Sequence, residues 1–247
     1  MLSLTVLFLA IFLVQGIQCS TDSNKPSYNY TDTGGPLEWY SMDRKNNKAC
    51  SQGKIQSPIN LDPDTIRTLA PGELKINISD VDIKPPKLLS SSFKFPPGKG
   101  YLTDGNSTYE LRQFHFHTPS EHHIKGEYYP AEVHFVFEAN KGERKGVLGV
   151  LFDLVDPESP DTDSPDTDSP FQTIFNHIKR TRYSSRSYPV SFRELGDFVR
   201  ASDVMTYTGS LTTPPCTEGV QWYIPHDAIL SSVGDYTLLR KLLKFNA

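Results

Sequence analysis

Leu111-Arg112-Gln113-Phe114-His115-Phe116-His117 and Ala131-Glu132-Val133-His134-Phe135-Val136-Phe137 are the two runs whose reading decides the fold. Both are short, apolar and rich in aromatic or β-branched residues, which is the composition of strands. Side chains alternate faces along a strand, so His115 and His117 point the same way, about 7 Å apart. His134 on an adjacent strand adds a third imidazole and leaves one tetrahedral position for water. That is the plan of a catalytic zinc site; a structural site closes all four positions with protein ligands.

A pair of strand histidines also suits a core in which neighbours satisfy the ring nitrogens. The third histidine, with a carboxylate two residues before it, favours a metal. Metal-bound imidazoles donate their second N–H to an oxygen acceptor. Glu132 shares a face with His134, and Gln113 shares one with His115 and His117, so each residue is a candidate acceptor.

Working outward, strand signals recur at Glu73–Ile78, Ser92–Phe95, Tyr109–His117, Ala131–Ala139 and Val147–Leu154, bounded by Gly, Pro or polar turns. Phe171–Arg180 places Phe171, Ile174, Phe175 and Ile178 at helical spacing. Phe192–Phe198 and Asp235–Leu243 are weaker helix candidates. The expected class is mainly β with short peripheral helices, in one domain over residues 20–247.

Residues 2–14 form an apolar run too short to cross a bilayer, which takes about 20 residues. With the polar and small residues after it, the segment 1–19 reads as a secretory signal peptide cleaved between positions 16 and 20. No later stretch is apolar enough to span a membrane. The net charge of −4 and the lack of a basic cluster exclude nucleic acid as a partner. Of the three cysteines, Cys19 leaves with the signal or stays as an odd thiol, and Cys50 and Cys216 remain for an oxidising, extracellular compartment. Asn29, Asn77 and Asn106 open Asn-x-Ser/Thr triplets and are candidate glycosylation sites. Asn106 is the most favoured, because Asp104-Gly105-Asn106 reads as an exposed hairpin turn. The segment 156–170 carries a Ser-Pro-Asp-Thr-Asp repeat, acidic and proline-broken, and reads as a surface insertion. Weak Ca²⁺ or mineral binding by its carboxylates is the functional alternative.

Several separated motifs stand in a fixed order: Gly35-Pro36 then Trp39, Gln56-Ser57-Pro58-Ile59-Asn60, Gln113-Phe114-His115-Phe116-His117, Ser120-Glu121-His122, Ala131-Glu132-Val133-His134 and Gly209-Ser210-Leu211-Thr212-Thr213-Pro214-Pro215. On these motifs the chain resembles the α-class carbonic anhydrases from about residue 30 to 247. The resemblance implies a large, mostly antiparallel twisted sheet with Zn²⁺ on His115, His117 and His134, and a zinc-bound hydroxide that reversibly hydrates CO₂ to bicarbonate and a proton. It makes Thr212 the gatekeeper, its hydroxyl donating to Glu121. It assigns Thr213 to bicarbonate, and Val136, Val147, Leu211, Val220 and Trp222 to the apolar wall for CO₂. It places Tyr30 and Tyr207 in the solvent network, makes His122 structural, and joins Cys50 to Cys216. His123, His177 and His226 read as surface residues. Two departures stand out. No histidine precedes His115, so the family's proton shuttle is missing; Lys87 to Ser90 fall near its position. The chain also stops at Phe245-Asn246-Ala247, short of the family's final segment. The alternative function is a non-catalytic or biomineral-matrix relative that uses the acidic loop.

Overall fold

The alternation expected of the two histidine runs is realised in a computed structural model that describes residues 28–30, 33–83, 92–139, 142–155, 171, 175 and 187–243. Thr108–His117 and Ala131–Ala139 are adjacent antiparallel strands, with His134 opposite His115 and Glu132 opposite His117. They lie in the middle of a ten-stranded sheet. From one edge its order is Thr68–Leu69, Val204–Ser210, Glu218–Pro225, Arg144–Leu154, Ala131–Ala139, Thr108–His117, Gly100–Thr103 and Lys75–Ile78. Ile229–Ser231 pairs beside Arg144–Leu154, and Ser92–Lys94 beside Thr108–His117. Among the described residues, only the pairings of Arg144–Leu154 with Glu218–Pro225 and with Ile229–Ser231 are parallel within this sheet. The mainly β, mostly antiparallel class read from the sequence is the observed one.

The pleat sorts the central strands into two apolar layers. One face carries Phe114, Phe116, Val133, Phe135, Phe137, Leu148, Val150 and Phe152, all within a single buried cluster. Its rings interlock: Phe93 and Phe114 stack with centroids 4.7 Å apart, and Phe114 and Phe135 at 5.3 Å. Each fully buried side chain of this size contributes about 1.5–3 kcal/mol. The register slips between Val136, opposite Gln113, and Phe137, opposite Leu111. That bulge flips the start of the strand, so Leu111 and Tyr109 join Phe114 and Phe116 in the same layer. The opposite face bears the histidines and a second apolar cluster.

Among the described residues the helices are short: Trp39–Met42, Ala49–Gln52, Arg193–Ala201 and Val233–Leu243. Arg193–Ala201 docks Leu195 and Val199 on the aromatic layer, close to the span expected at Phe192–Phe198. Val233–Leu243 begins two residues earlier than expected. Ser232 Oγ accepts the Asp235 N–H at 3.0 Å and donates to the Asp235 carboxylate at 2.9 Å, a reciprocal cap for the first turn. Of the helix expected over Phe171–Arg180, only Phe171 and Phe175 are described. Both are buried, and the Phe175 N–H donates to the Phe171 carbonyl at 2.8 Å. Residues 1–27, the acidic segment 156–170 and residues 244–247 lie outside the described residues.

Cys50 and Cys216 form a disulfide across a sequence separation of 166. Loop-closure entropy assigns a bridge of that span on the order of 4–5 kcal/mol. A domain of this size loses about 2–4 °C of melting temperature per kcal/mol, so reduction should lower it by roughly 10 °C or more. Mass spectrometry after alkylation checks the pairing: intact protein should take no label at either cysteine. Labelling of both without reduction would contradict the bridge.

Candidate metal centre

His115, His117 and His134 leave neighbouring strands on the same face, and their available nitrogens all lie within 4.8 Å of one another. The ring centroids are 4.9 Å apart for His115 and His117, 5.2 Å for His115 and His134, and 4.4 Å for His117 and His134. His117 and His134 are buried and His115 is half-buried. Burial pushes His115 down to about 3, with neighbouring His134 adding to the shift and the Glu132 carboxylate opposing it. Burial likewise holds His117 well below the ordinary histidine value. Both rings are therefore neutral at physiological pH, the form in which an imidazole offers a lone pair to a metal.

The outer nitrogens explain the orientation of the rings. His115 Nδ1 donates to Gln113 Oε1 at 3.0 Å, and the same oxygen accepts from Ser92 Oγ at 3.0 Å. His134 Nε2 donates to Glu132 Oε1 at 2.8 Å. These bonds set the tautomers and free His115 Nε2 and His134 Nδ1. Neither ring nitrogen of buried His117 has a hydrogen-bond partner among the described residues. Unpaired buried polar atoms are costly and rare in folded proteins. Three converging ring nitrogens, with outer partners in place for His115 and His134, fit a metal ion that prefers imidazole. The chemistry of this donor set matches zinc.

Glu132 does more than hold His134. Its Oε1 also accepts from His122 Nδ1 at 2.8 Å, and its Oε2 accepts the backbone N–H groups of Glu121 and His122, each at 2.9 Å. Burial opposes its ionisation, but His122 and His134 outweigh this and hold its carboxyl well below the usual range. The carboxylate thus pins the Glu121-His122 turn against the metal centre. From His122 the bonds run on: Nε2 meets the Tyr207 hydroxyl at 2.7 Å, which meets Ser57 Oγ at 2.8 Å. Ser57 Oγ accepts the Ser210 N–H at 3.0 Å, and Ser210 Oγ accepts the Ser57 N–H at 2.9 Å. Tyr207, expected in the solvent network, thus has its hydroxyl between Ser57 and His122. Gly149 lies opposite His134, where a Cβ would come within 2.8 Å of Glu132 Oε1; only glycine leaves room for that carboxylate.

Thr212 stands at the end of the Val204–Ser210 strand and its hydroxyl hydrogen-bonds to Glu121. Burial pushes the Glu121 carboxyl up to about 8, against the pull of that hydroxyl, with the Glu132 charge adding to the rise. One Glu121 oxygen lies 3.4 Å from His117 Nδ1 and the other 3.8 Å from His134 Nδ1. Leu211–Thr217 is a loop closed by backbone bonds from Leu211 N to the Thr217 carbonyl and from Cys216 N to the Thr213 carbonyl, both 2.9 Å. The disulfide ties this loop to Ala49–Gln52. Val136, Val147, Leu211, Val220 and Trp222 all fall in the apolar cluster on the histidine face. The Trp222 ring packs edge-on to His134 at 4.9 Å and to His122 at 4.7 Å, while its N–H donates to the Ser210 carbonyl at 3.0 Å.

The other expected residues separate cleanly. Tyr30 packs edge-on to Trp39 at 5.6 Å, and the Glu121 charge contributes, after burial, to the raised pKa of its hydroxyl. His123 packs against Tyr128 with tilted rings 3.7 Å apart, and His226 is exposed beside Asp227. His177 lies outside the described residues. Asn106 is exposed in the expected hairpin turn and Asn77 is exposed on a strand, whereas Asn29 is half-buried. Sequence reasoning did not give Ser57, Ser92, Ser210 or Gly149 a role. Ser57 and Ser210 sat inside quoted motifs, but their contact spans a chain separation of 153 and leaves no local pattern.

Known proteins are similar to this chain in sequence and fold. The family model for eukaryotic-type carbonic anhydrase matches residues 34–247. A carbonic anhydrase from Neisseria gonorrhoeae is 32% identical over 204 residues, covering 81% of this chain and 74% of that protein. Dioscorin dioA3 from Dioscorea japonica is 28% identical over 252 residues, covering 99% and 88%. The solved structure of a fungal α-carbonic anhydrase from Aspergillus oryzae superposes with a TM-score of 0.76 at 38% identity, covering 90% of this chain and 91% of that one. With the sheet, the ordered motifs and the three converging histidines all in agreement, the chain belongs to the α-class, eukaryotic-type carbonic anhydrase family.

Proposed function

We propose that the protein is a secreted, zinc-dependent enzyme that reversibly hydrates carbon dioxide to bicarbonate and a proton. The observation that carries this reading is the set of three converging imidazoles beside the Thr212–Glu121 pair. His115, His117 and His134 would hold Zn²⁺, a Lewis acid that makes water nucleophilic near neutral pH when bound. Gln113 and Glu132 keep the ligand rings in the correct tautomers. In this reading the Thr212 hydroxyl donates to ionised Glu121, so its oxygen would offer lone pairs to the cavity and orient a water there by accepting one of its hydrogens. Val136, Val147, Leu211, Val220 and Trp222, which share the apolar cluster on this face, would give CO₂ a dry wall, and Thr213 would meet bicarbonate. The apolar N-terminal run and the disulfide support export to an oxidising compartment. Family membership alone does not assign the reaction, since the relatives include a protein named dioscorin.

Each hydration releases one proton, which must reach bulk solvent before the next turnover. Efficient transfer needs a group with a pKa near the working pH, which singles out histidine. None precedes His115, and Lys87 to Ser90, outside the described residues, contain none. Stopped-flow CO₂ hydration in weak buffer should therefore show kcat limited by proton export. Added imidazole buffer should raise kcat several-fold and leave kcat/KM, which reports attack on CO₂, nearly constant. A kcat independent of buffer would place an unassigned shuttle at the cavity, and a complete lack of hydration would overturn the proposed function.

A further inference from the structure

On the sheet face away from the histidines, Thr206, Thr208, Gln221 and Tyr223 alternate with Tyr207 and Trp222 and line a separate cavity of about 340 Å³. Three cations, Arg67, Arg144 and Lys145, line the same space, in a chain of net charge −4. We propose that this cavity is a binding site for a small multivalent oxyanion carrying phosphate, sulfate or several carboxylate groups.

The cations differ in what already engages them. The Arg67 carbonyl accepts the Thr206 N–H at 2.9 Å, but its guanidinium makes no hydrogen bond or ion pair among the described residues, and the residue is exposed. The Arg144 guanidinium lies 5.7 Å from the centre of the Tyr109 ring and donates one bond to its hydroxyl at 3.2 Å. That contact aims the group while leaving most of its N–H donors unused. Lys145 pairs with Glu138, so its charge is partly answered. The cavity's one lining carboxylate, Asp104, is already satisfied. It accepts the Tyr223 hydroxyl at 2.6 Å and the backbone N–H groups of Asn106 and Ser107 at 3.0 and 2.8 Å. It makes no ion pair with either arginine among the described residues. Three cations against one carboxylate leave the cavity net positive, which concentrates anions, and guanidinium forks match the paired oxygens of phosphate and carboxylate. The volume suits a ligand of pyrophosphate or citrate size better than a lone halide ion.

The test is calorimetric titration of the intact, disulfide-bonded protein, made without N-glycans because Asn106 stands at the cavity wall. Pyrophosphate and citrate are the probes, at low ionic strength. At least one of them should bind with a Kd tighter than about 1 mM, the strength that two charge-assisted arginine contacts support. Arg67→Glu and Arg144→Glu should each weaken binding about tenfold or more, with unchanged melting temperature and CO₂ hydration. His134→Ala should leave the affinity unchanged, which separates this site from anion capture at the metal centre. Lack of binding by both probes, wild-type affinity in both arginine variants, or loss of binding in His134→Ala would each overturn the proposal.

Discussion

His134→Ala should yield a folded protein that neither holds stoichiometric zinc nor hydrates carbon dioxide. Two imidazoles remain, but the third donor is lost together with the ring that Glu132 orients. If the metal supplies about 4 kcal/mol of transition-state stabilisation, its loss lowers the rate roughly 1,000-fold. The fold survives because His134 lies on the histidine face, while its neighbours Val133 and Phe135 keep their places in the aromatic layer. Zinc analysis, circular dichroism and stopped-flow kinetics on the same preparation check all three statements. A variant with full zinc and normal hydration would remove His134 from the centre.

Glu132→Ala should be more damaging to stability. Four donors converge on that buried carboxylate: two backbone N–H groups and the rings of His122 and His134. Removing one member of a buried, hydrogen-bonded charge network costs about 3–5 kcal/mol, or roughly 10–15 °C in a domain of this size. With His134 no longer held, zinc affinity should also fall about 10–100-fold. The pH dependence has a definite sign. The folded pKa of Glu132 is depressed below its unfolded value. The stability it contributes is therefore fully present above the ordinary carboxylate range, and it is lost as pH falls through the lower folded value. Wild-type melting temperature should thus decline with acid below about pH 4.5, and Glu132→Ala should lack that part of the decline. A variant melting within a degree or two of wild type would show that the network is not structural.

The triad was legible because its signal is local. A period of two in apolar runs places histidines on one face, and the acceptors Gln113 and Glu132 follow from the same alternation. The aromatic layer was legible for the same reason. The Val204–Ser210 and Glu218–Pro225 strands were not read as strands, although Tyr207, Leu211, Val220 and Trp222 came through the resemblance. Val204–Ser210 breaks the hydrophobic pattern because Thr206 and Thr208 face the polar far cavity, while Gly209 admits Ser57, whose hydroxyl would lie 2.1 Å from a Cβ there. Gly149 reads as a weak strand residue until the Glu132 carboxylate is seen to occupy the space beside it. The helix starting at Val233 was read as starting at Asp235, since the cap at Ser232 is recognised only by its reciprocal bond.

The metal dependence of hydration in the purified wild-type protein bears most directly on the function. Elemental analysis and stopped-flow CO₂ hydration should be run on the protein as isolated, after chelation, and after zinc is restored. Stoichiometric zinc on isolation, hydration lost with the metal and hydration regained with zinc is the expected result. A folded, disulfide-bonded protein that carries stoichiometric zinc yet hydrates no carbon dioxide, or one that hydrates it equally well without metal, would contradict it.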